Sequence, residues 1–565
     1  MRFNRTAKKV LFTATFGLCL GAFEGFAQKR EGSIQDEAIE VEKTRKIELQ
    51  PQVSRGFDLL EEAQDLRKDR KMKYDLVDRK WEGTHLPKIN TSIVDPREGD
   101  ELTSSYGPKF KNVFKVGAGN YGHTLMNAHF GFTPNENSFH GLYINHDANR
   151  RGPVATSFSG RNENEIKVYS KTFTPSYLLN GSISYKRVEA NWYGRPEEQF
   201  NNMANGTFGV YYDRFNYVGS ISSAKKDAKF DYIATSGLTM MSTSQNEREW
   251  IWDSKIQTVL TINDNLSAHF SGDMTMSEYA SLENNRRELY RVKPSFFYKS
   301  DRVSVHAGIN VVNEKDKLRG LNTTSLFPVV KLDYKAANFI HFFAGLGGDT
   351  YFNTLSQMAS QNPWLRNRID LRNTAQTANV FGGFKGSNEY SFDFEFKFMY
   401  SEFSNLSFFV PSAADSSKYT VVYAGDIKKA QVMNFSGQFN YQLNERFLSV
   451  LKYDINQYDN LGTLEKAYHR PAMNISFTNS ITFKDKIIIS PDVFYMNGLY
   501  GLNPRTNTAV AMKDIIDLNL KVNYLITKKF NAAVSANNLL GKNYERYLFY
   551  PSQGLNYTVS VAYSF

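Results

Sequence analysis

The last twelve residues, GLNYTVSVAYSF (554–565), are sorted by parity. Leu555, Tyr557, Val559, Val561, Tyr563 and Phe565 are apolar or aromatic, whereas Asn556, Thr558, Ser560, Ala562 and Ser564 are small or polar. Successive side chains of a strand point to opposite faces, so this segment has one oily face, one wet face and an aromatic end. The same sorting recurs upstream. In DLNLKVNYLI (517–526), Leu518, Leu520, Val522, Tyr524 and Ile526 alternate with Asp517, Asn519, Lys521 and Asn523. In YSFDFEFKFMY (390–400), Phe392, Phe394, Phe396, Phe398 and Tyr400 oppose Asp393, Glu395 and Lys397. In LSAHFSGDMTM (266–276), Ala268, Phe270, Met274 and Met276 oppose His269, Ser271 and Asp273.

An antiparallel sandwich in water also alternates, with its polar face solvated. Strand length separates the two cases, because these runs are roughly 11 to 17 residues long against ~5–6 for a globular strand. Crossing a bilayer at a tilt takes ~9–11. Connection lengths agree. Tight links fall at 133–137, 174–176, 263–265, 300–302, 335–338, 386–389, 443–446, 483–486 and 527–529. Between them lie mostly longer polar stretches, among them 148–163, 352–374, 404–418, 459–470, 499–512 and 540–553. Short turns on one rim and long loops on the other are the pattern of an outer-membrane barrel, and the alternation implies about 22 strands, an even count. An open sheet in lipid would leave unpaired backbone groups at several kcal/mol each, so the last strand must pair with the first. That requirement explains a clean final strand.

Composition fits such a wall. Tyr and Phe number 33 and 43, aromatics make up 14% of the chain, and yet the mean hydropathy is −0.47. A helical membrane protein cannot be that polar. The formal charge of +10 is spread without a basic cluster, which excludes a nucleic-acid partner. Arg2, Arg5, Lys8 and Lys9 against Glu24 place +3 on the first 27 residues and leave +7 on the rest. Those basic residues precede the apolar stretch VLFTATFGLCLGAF (10–23) and the small residues Gly25 and Ala27, the pattern of a secretory signal cleaved after Ala27. The stretch is shorter than the ~20 residues of a spanning helix. The single cysteine, Cys19, lies within it, so residues 28–565 offer no thiol or disulfide.

Residues 28–109 differ from the rest, with both charge signs at high density and one short run of helical spacing, Phe57, Leu60 and Ala63. They read as a charged periplasmic or lumen-occupying segment, too small and too polar for a substantial core. The expected organisation is a signal over 1–27, this segment over 28–109, and an all-β transmembrane antiparallel barrel over 110–565.

The end of the chain resembles the last strands of TonB-dependent receptors. The matching residues are Asn538, Leu539, Leu540, Gly541, Lys542 and Tyr544, then Tyr550, Pro551, Gly554 and Asn556, and finally Tyr563, Ser564 and Phe565. The style is similar to that of the Bacteroidetes group. FKVGAGNYGHTLMNAHFGF (114–132) resembles the first hairpin of a plugless subgroup of the same superfamily. By that resemblance, Tyr563 and Phe565 form the C-terminal signal read by the barrel assembly machinery, and the implied role is solute binding or transport across the outer membrane. The family's plug carries glycine-rich RG and DG elements. Before Phe110 there is only the isolated pair Arg55-Gly56, and EAIEVE (37–42) is a weak match to a TonB box, which argues against energy-driven uptake through TonB.

No HExxH, GxSxG, P-loop or strand-to-helix GxGxxG is present, so neither a catalytic nor a cofactor set is expected and the chain does not read as an enzyme. His269 and His306 fall on the wet faces of strands, away from a lipid substrate. The acidic cluster DPREGDE (95–101) lacks EF-hand spacing, and no metal site is expected. What remains is a set of charges that parity turns toward the lumen, namely Arg291, Lys293, Lys331, Asp333, Asp393, Glu395, Lys397, Asp517 and Lys521. Such groups bias which ions pass a pore, or pair with one another and brace the interior. Three roles stay open at this point: a receptor-like transporter, a passive porin-like channel, or a docking barrel. The last would hold a surface lipoprotein or a periplasmic partner through residues 28–109. In every case outer-membrane lipids surround the wall.

Overall fold

The structure, a computed structural model, describes residues 112–565 apart from 136, 155, 201–207, 225–228, 282–283, 338, 389–390, 444–445, 485 and 528. The expectations for the signal, for the segment 28–109 and for EAIEVE lie outside the described residues. The described chain is one closed antiparallel sheet of 22 strands, each paired with the next along the chain. Three small two-stranded sheets lie in its loops. The wall strands run from 8 residues (Asn112–Gly119) to 17 (Leu321–Ala337), within the reach of a tilted bilayer crossing.

Closure joins the first strand, Asn112–Gly119, to the last, Asn556–Ser564, with Val113 opposite Ser564 and Gly119 opposite Thr558. The backbone pairs to the final residue, since Asn112 N–H donates to Phe565 O at 3.2 Å and Phe565 N–H to Asn112 O at 3.0 Å. His123 Nδ1 meets Thr558 Oγ1 at 2.7 Å across the same seam. Gly119 permits the close approach there, because a Cβ at that position would lie 2.1 Å from Tyr557 O. Tyr557, Val559, Val561, Tyr563 and Phe565 are exposed, and Asn556, Thr558, Ser560, Ala562 and Ser564 are buried. Exposed Phe114 and Val116 continue that apolar face onto the first strand, and Tyr563 stacks on Phe565 at 5.5 Å. An apolar, aromatic-rich outer band that no group covers among the described residues has hydrocarbon as its solvent, so the chain is an outer-membrane barrel.

Every link on the rim that holds both wall termini is short. The opposite, extracellular rim has long loops at 150–160, 192–208, 352–373, 405–429, 460–472, 498–514 and 538–555, but short links at 120–122, 244–247, 281–283 and 317–320. The stretches read as polar loops contain structure of their own. Helix α1 (Leu355–Gln361) and the hairpins Leu406–Pro411/Tyr419–Ala424 and Tyr500–Asn503/Thr508–Ala511 all lie there. The largest group of buried apolar residues is built mainly from these loops, not from the wall.

Candidate functional site

The charges expected in the lumen fall into separate clusters, not one ring. Arg291 Nε binds Asp273 Oδ2 on the neighbouring strand at 2.5 Å, and Arg291 Nη1 reaches Asp349 Oδ1 at 3.2 Å on a strand three places away. Lys293 Nζ binds the other Asp349 oxygen at 2.8 Å, and Asn310 Nδ2 donates to Asp349 at 3.2 Å. Side chains that meet across intervening strands do so on the concave side of the wall. A second cluster gathers on Asp333, with Lys385 Nζ at 2.9 Å and His341 Nδ1 at 2.8 Å. Lys331 lies within electrostatic range of Lys397, whose ammonium stands 4.5 Å from the Phe381 ring centre. Asp393 accepts from Asn440 Nδ2 at 2.5 Å. Asp517 accepts from the Tyr544 hydroxyl at 2.6 Å and from Asn538 N–H at 3.1 Å, tying the wall to the loop 538–555. Glu395 and Lys521 share the alternation of Asp393 and Asp517 on their strands.

His269 and His306 lie 5.7 Å apart, bonded to Ser267 Oγ at 2.8 Å and Ser295 Oγ at 2.7 Å. Neither ring has a carboxylate in ion-pair range among the described residues, so the Ser–His contacts do not extend to a triad. No group of three or more His, Cys, Asp or Glu among the described residues could hold a metal.

Above these clusters the long loops close over one another as a dome. Its centre is aromatic. Trp364 stacks on Tyr550 at 3.8 Å, and Tyr193 meets Tyr550 edge-on at 4.8 Å. Tyr419 and Tyr547 stand edge-on at 5.5 Å. Each phenol donates to a backbone carbonyl of a different loop: Tyr193 to Pro551 at 3.1 Å, Tyr419 to Leu548 at 2.7 Å, Tyr547 to Gln361 at 3.0 Å, and Tyr550 to Ser417. Burial pushes the Tyr419 and Tyr550 hydroxyls well above the ordinary phenol range, which keeps them protonated as donors. A buried ring adds apolar area while its hydroxyl satisfies a loop carbonyl, so aromatic loops can pack without orphaned backbone groups.

The loop 352–373 reaches from its own strands to wall strands three, five and seven places away and is latched there. Thr354 caps helix α1 by accepting from Gln357 N–H at 3.1 Å. Buried Glu249 on the strand Arg248–Asn263 accepts from Ser356 N–H at 2.9 Å. A carboxylate at the first turn of a helix meets free N–H groups there. Arg214 donates to Ser356 O at 2.8 Å and Ser360 Oγ at 2.7 Å, while Arg287 donates to Asn353 O at 2.6 Å and Asn373 Oδ1 at 3.0 Å. Arg287, Glu249 and Ser356 are fully buried.

Where the dome meets the wall there is a small cavity of about 60 Å³, enough for a few water molecules. Asn434, Asp454, Asn456 and Asn474 line it from the wall, and Tyr468, His469, Arg470, Arg546 and Tyr547 from the loops. None of these residues, nor Trp364, Tyr419 or Tyr550, was identified from the sequence as a site. The only signal available was the presence of large aromatics and arginines inside stretches otherwise read as solvated loops.

No family model matches the chain, and no curated protein matches it by sequence. Its fold does match solved structures. The FrpB iron transporter from Neisseria meningitidis (F3-3 variant) superposes with a TM-score of 0.65 at 10% identity, over 82% of this chain and 83% of that one. The pyoverdine outer membrane receptor FpvA from Pseudomonas aeruginosa PAO1 gives 0.61 at 12% identity, over 82% and 79%. The ferric-catecholate import receptor Fiu from E. coli K12 gives 0.62 at 8% identity, over 81% and 82%. The chain thus has the 22-stranded barrel fold of TonB-dependent outer-membrane receptors.

Proposed function

We propose that the protein binds and passes a solute across the outer membrane, with an entrance that its own extracellular loops hold shut. The observation that carries this reading is the dome: a 22-stranded wall encloses more space than its side chains fill, and the loops close it with a packed aromatic core. A permanently open porin has no use for a latch such as Glu249 and Arg214 on helix α1. Solved structures of the same fold include an iron transporter, a pyoverdine receptor and a ferric-catecholate import receptor, which supports a transport role over a catalytic one. Residues 110–565 act as the barrel in this reading. The lumen-facing charges Arg291, Lys293, Lys331, Asp333, Asp393, Glu395, Lys397, Asp517 and Lys521 set the field of the interior, and Arg291, Lys293 and Asp333 also brace it through ion pairs.

The test is planar-bilayer recording of the folded protein with and without residues 28–109. A gated transporter gives little steady conductance in either form, with brief openings. A large steady conductance in the intact chain would instead establish the passive pore. Silence in both forms, together with a co-purifying partner lost on the deletion, would establish the docking barrel.

A further inference from the structure

The cavity under the dome has an unusual set of walls. Arg470 Nη2 donates to Ser407 O at 2.5 Å, and Arg546 Nη1 donates to His469 O at 2.5 Å. Their planes lie over rings, with Arg470 4.8 Å from the centre of Phe408 and Arg546 5.5 Å from that of Tyr547. Neither guanidinium forms an ion pair among the described residues. Between them stands His469, 3% exposed, with neither ring nitrogen hydrogen-bonded. Burial and the adjacent Arg546 hold that imidazole down to about 3, so it is neutral at ordinary pH. One carboxylate, Asp454, lines the cavity, from the wall side beside Asn434. Two guanidiniums thus face a single acid. A charge withdrawn from water without a partner is costly, and arginine's fork of N–H groups matches an oxyanion.

We propose that this cavity, bounded by His469, Arg470 and Arg546, binds the oxyanion group of a solute, a single carboxylate or phosphate. Its volume admits one such group and not a whole bulky ligand. The inference deepens the transport reading by naming the chemistry of what passes. Binding is measured without flux, however, so either can fail alone.

The experiment is isothermal titration of the full folded chain in detergent with inorganic phosphate and, separately, with acetate, against matched chloride. Saturable binding of either ion is expected. Phosphate alone assigns a phosphorylated solute, acetate alone a carboxylate one, and both a general oxyanion site. R546Q is expected to weaken binding about tenfold or more, and D454N, which removes the competing acid, to tighten it severalfold. Should R546Q fail to fold, R546K keeps the charge but loses the fork and still weakens binding. Absence of saturable binding by both ions, or affinities unchanged in R546Q and R470Q, would overturn the proposal.

Discussion

Phe398 in the wall and Trp364 in the dome are both large aromatic side chains, and they reach their places by different physics. Phe398 is 51% exposed to the membrane side, placed there by parity, with Phe396 and Tyr400 on the same face of its strand. Trp364 lies in a loop with no period, stacked on Tyr550, a residue 186 positions later in the chain. The wall is specified locally, two residues at a time, with lipid as its solvent. The dome is specified by contacts between distant loops, and its solvent is other loops. The two parts should therefore fail separately.

The largest separation is expected for Tyr419→Ala. Tyr419 is fully buried at the dome's centre, and removing a ring of that size costs about 3–5 kcal/mol. Protease added from outside should then clip the loops while the barrel keeps its heat-resistant electrophoretic mobility. Concerted loss of both would show that wall and dome are one cooperative unit. Next comes a pair of neighbours within the wall. Phe398→Arg puts a charge on the lipid face near mid-strand, at about 2–4 kcal/mol, and should lower the yield of folding into lipid vesicles. Lys397→Gln, one residue away on the opposite face, should leave the yield almost unchanged.

Smaller still is the latch. Arg214→Met removes the charged donor to Ser356 O and Ser360 Oγ, a loss of about 1.5–3 kcal/mol. Hydrogen exchange across Leu355–Gln361 should accelerate, with exchange in the wall strands unaltered. The smallest effect concerns acid. His469 is neutral in the dome down to about 3, against 6.5 for an ordinary imidazole. Between those values the loosened loop binds more protons than the packed one, so this group's contribution is intact above pH 6.5 and fades as pH falls below it. At pH 5.5, one unit under the ordinary value, that is about 1.4 kcal/mol. Exchange in the loop 460–472, corrected for intrinsic rate, should rise on acidification in the wild type and stay flatter in His469→Asn. Asparagine tolerates the left-handed backbone at this position, where φ is 57°.

Much of the wall was legible because the bilayer imposes a rule at every second residue. Tyr557, Val559 and Val561 declare the lipid face by themselves, and the tight links from 133–137 to 527–529 coincide with the short turns of one rim. The even strand count followed from the same alternation. Parity gives the expected lumen charges a face but no partners: that Arg291 reaches Asp349 across two intervening strands depends on barrel curvature, which parity does not encode. The dome was illegible for a further reason. Trp364, Tyr419 and the pair Tyr547 and Tyr550 come from three loops far apart in sequence, and none of those loops carries a periodic pattern that would mark its aromatics as buried until the wall brings them together. Helix α1 has only 7 residues, too few for its spacing to stand out, and it is held by Glu249 and Arg214 from strands over a hundred positions earlier.

The central claim is that the extracellular entrance is closed by the dome, and cysteine accessibility on intact cells tests it directly. The chain's only cysteine is Cys19, in the expected signal, which leaves a clean background for single replacements. Ile427→Cys sits on a fully exposed loop, and Ser356→Cys lies at the latch beneath the dome, where the native residue has no exposed surface. A membrane-impermeant maleimide should label Ile427→Cys within minutes and leave Ser356→Cys unmodified until the dome is loosened by Tyr419→Ala. Equal, rapid labelling at both positions in the otherwise native barrel would mean that the entrance stands open.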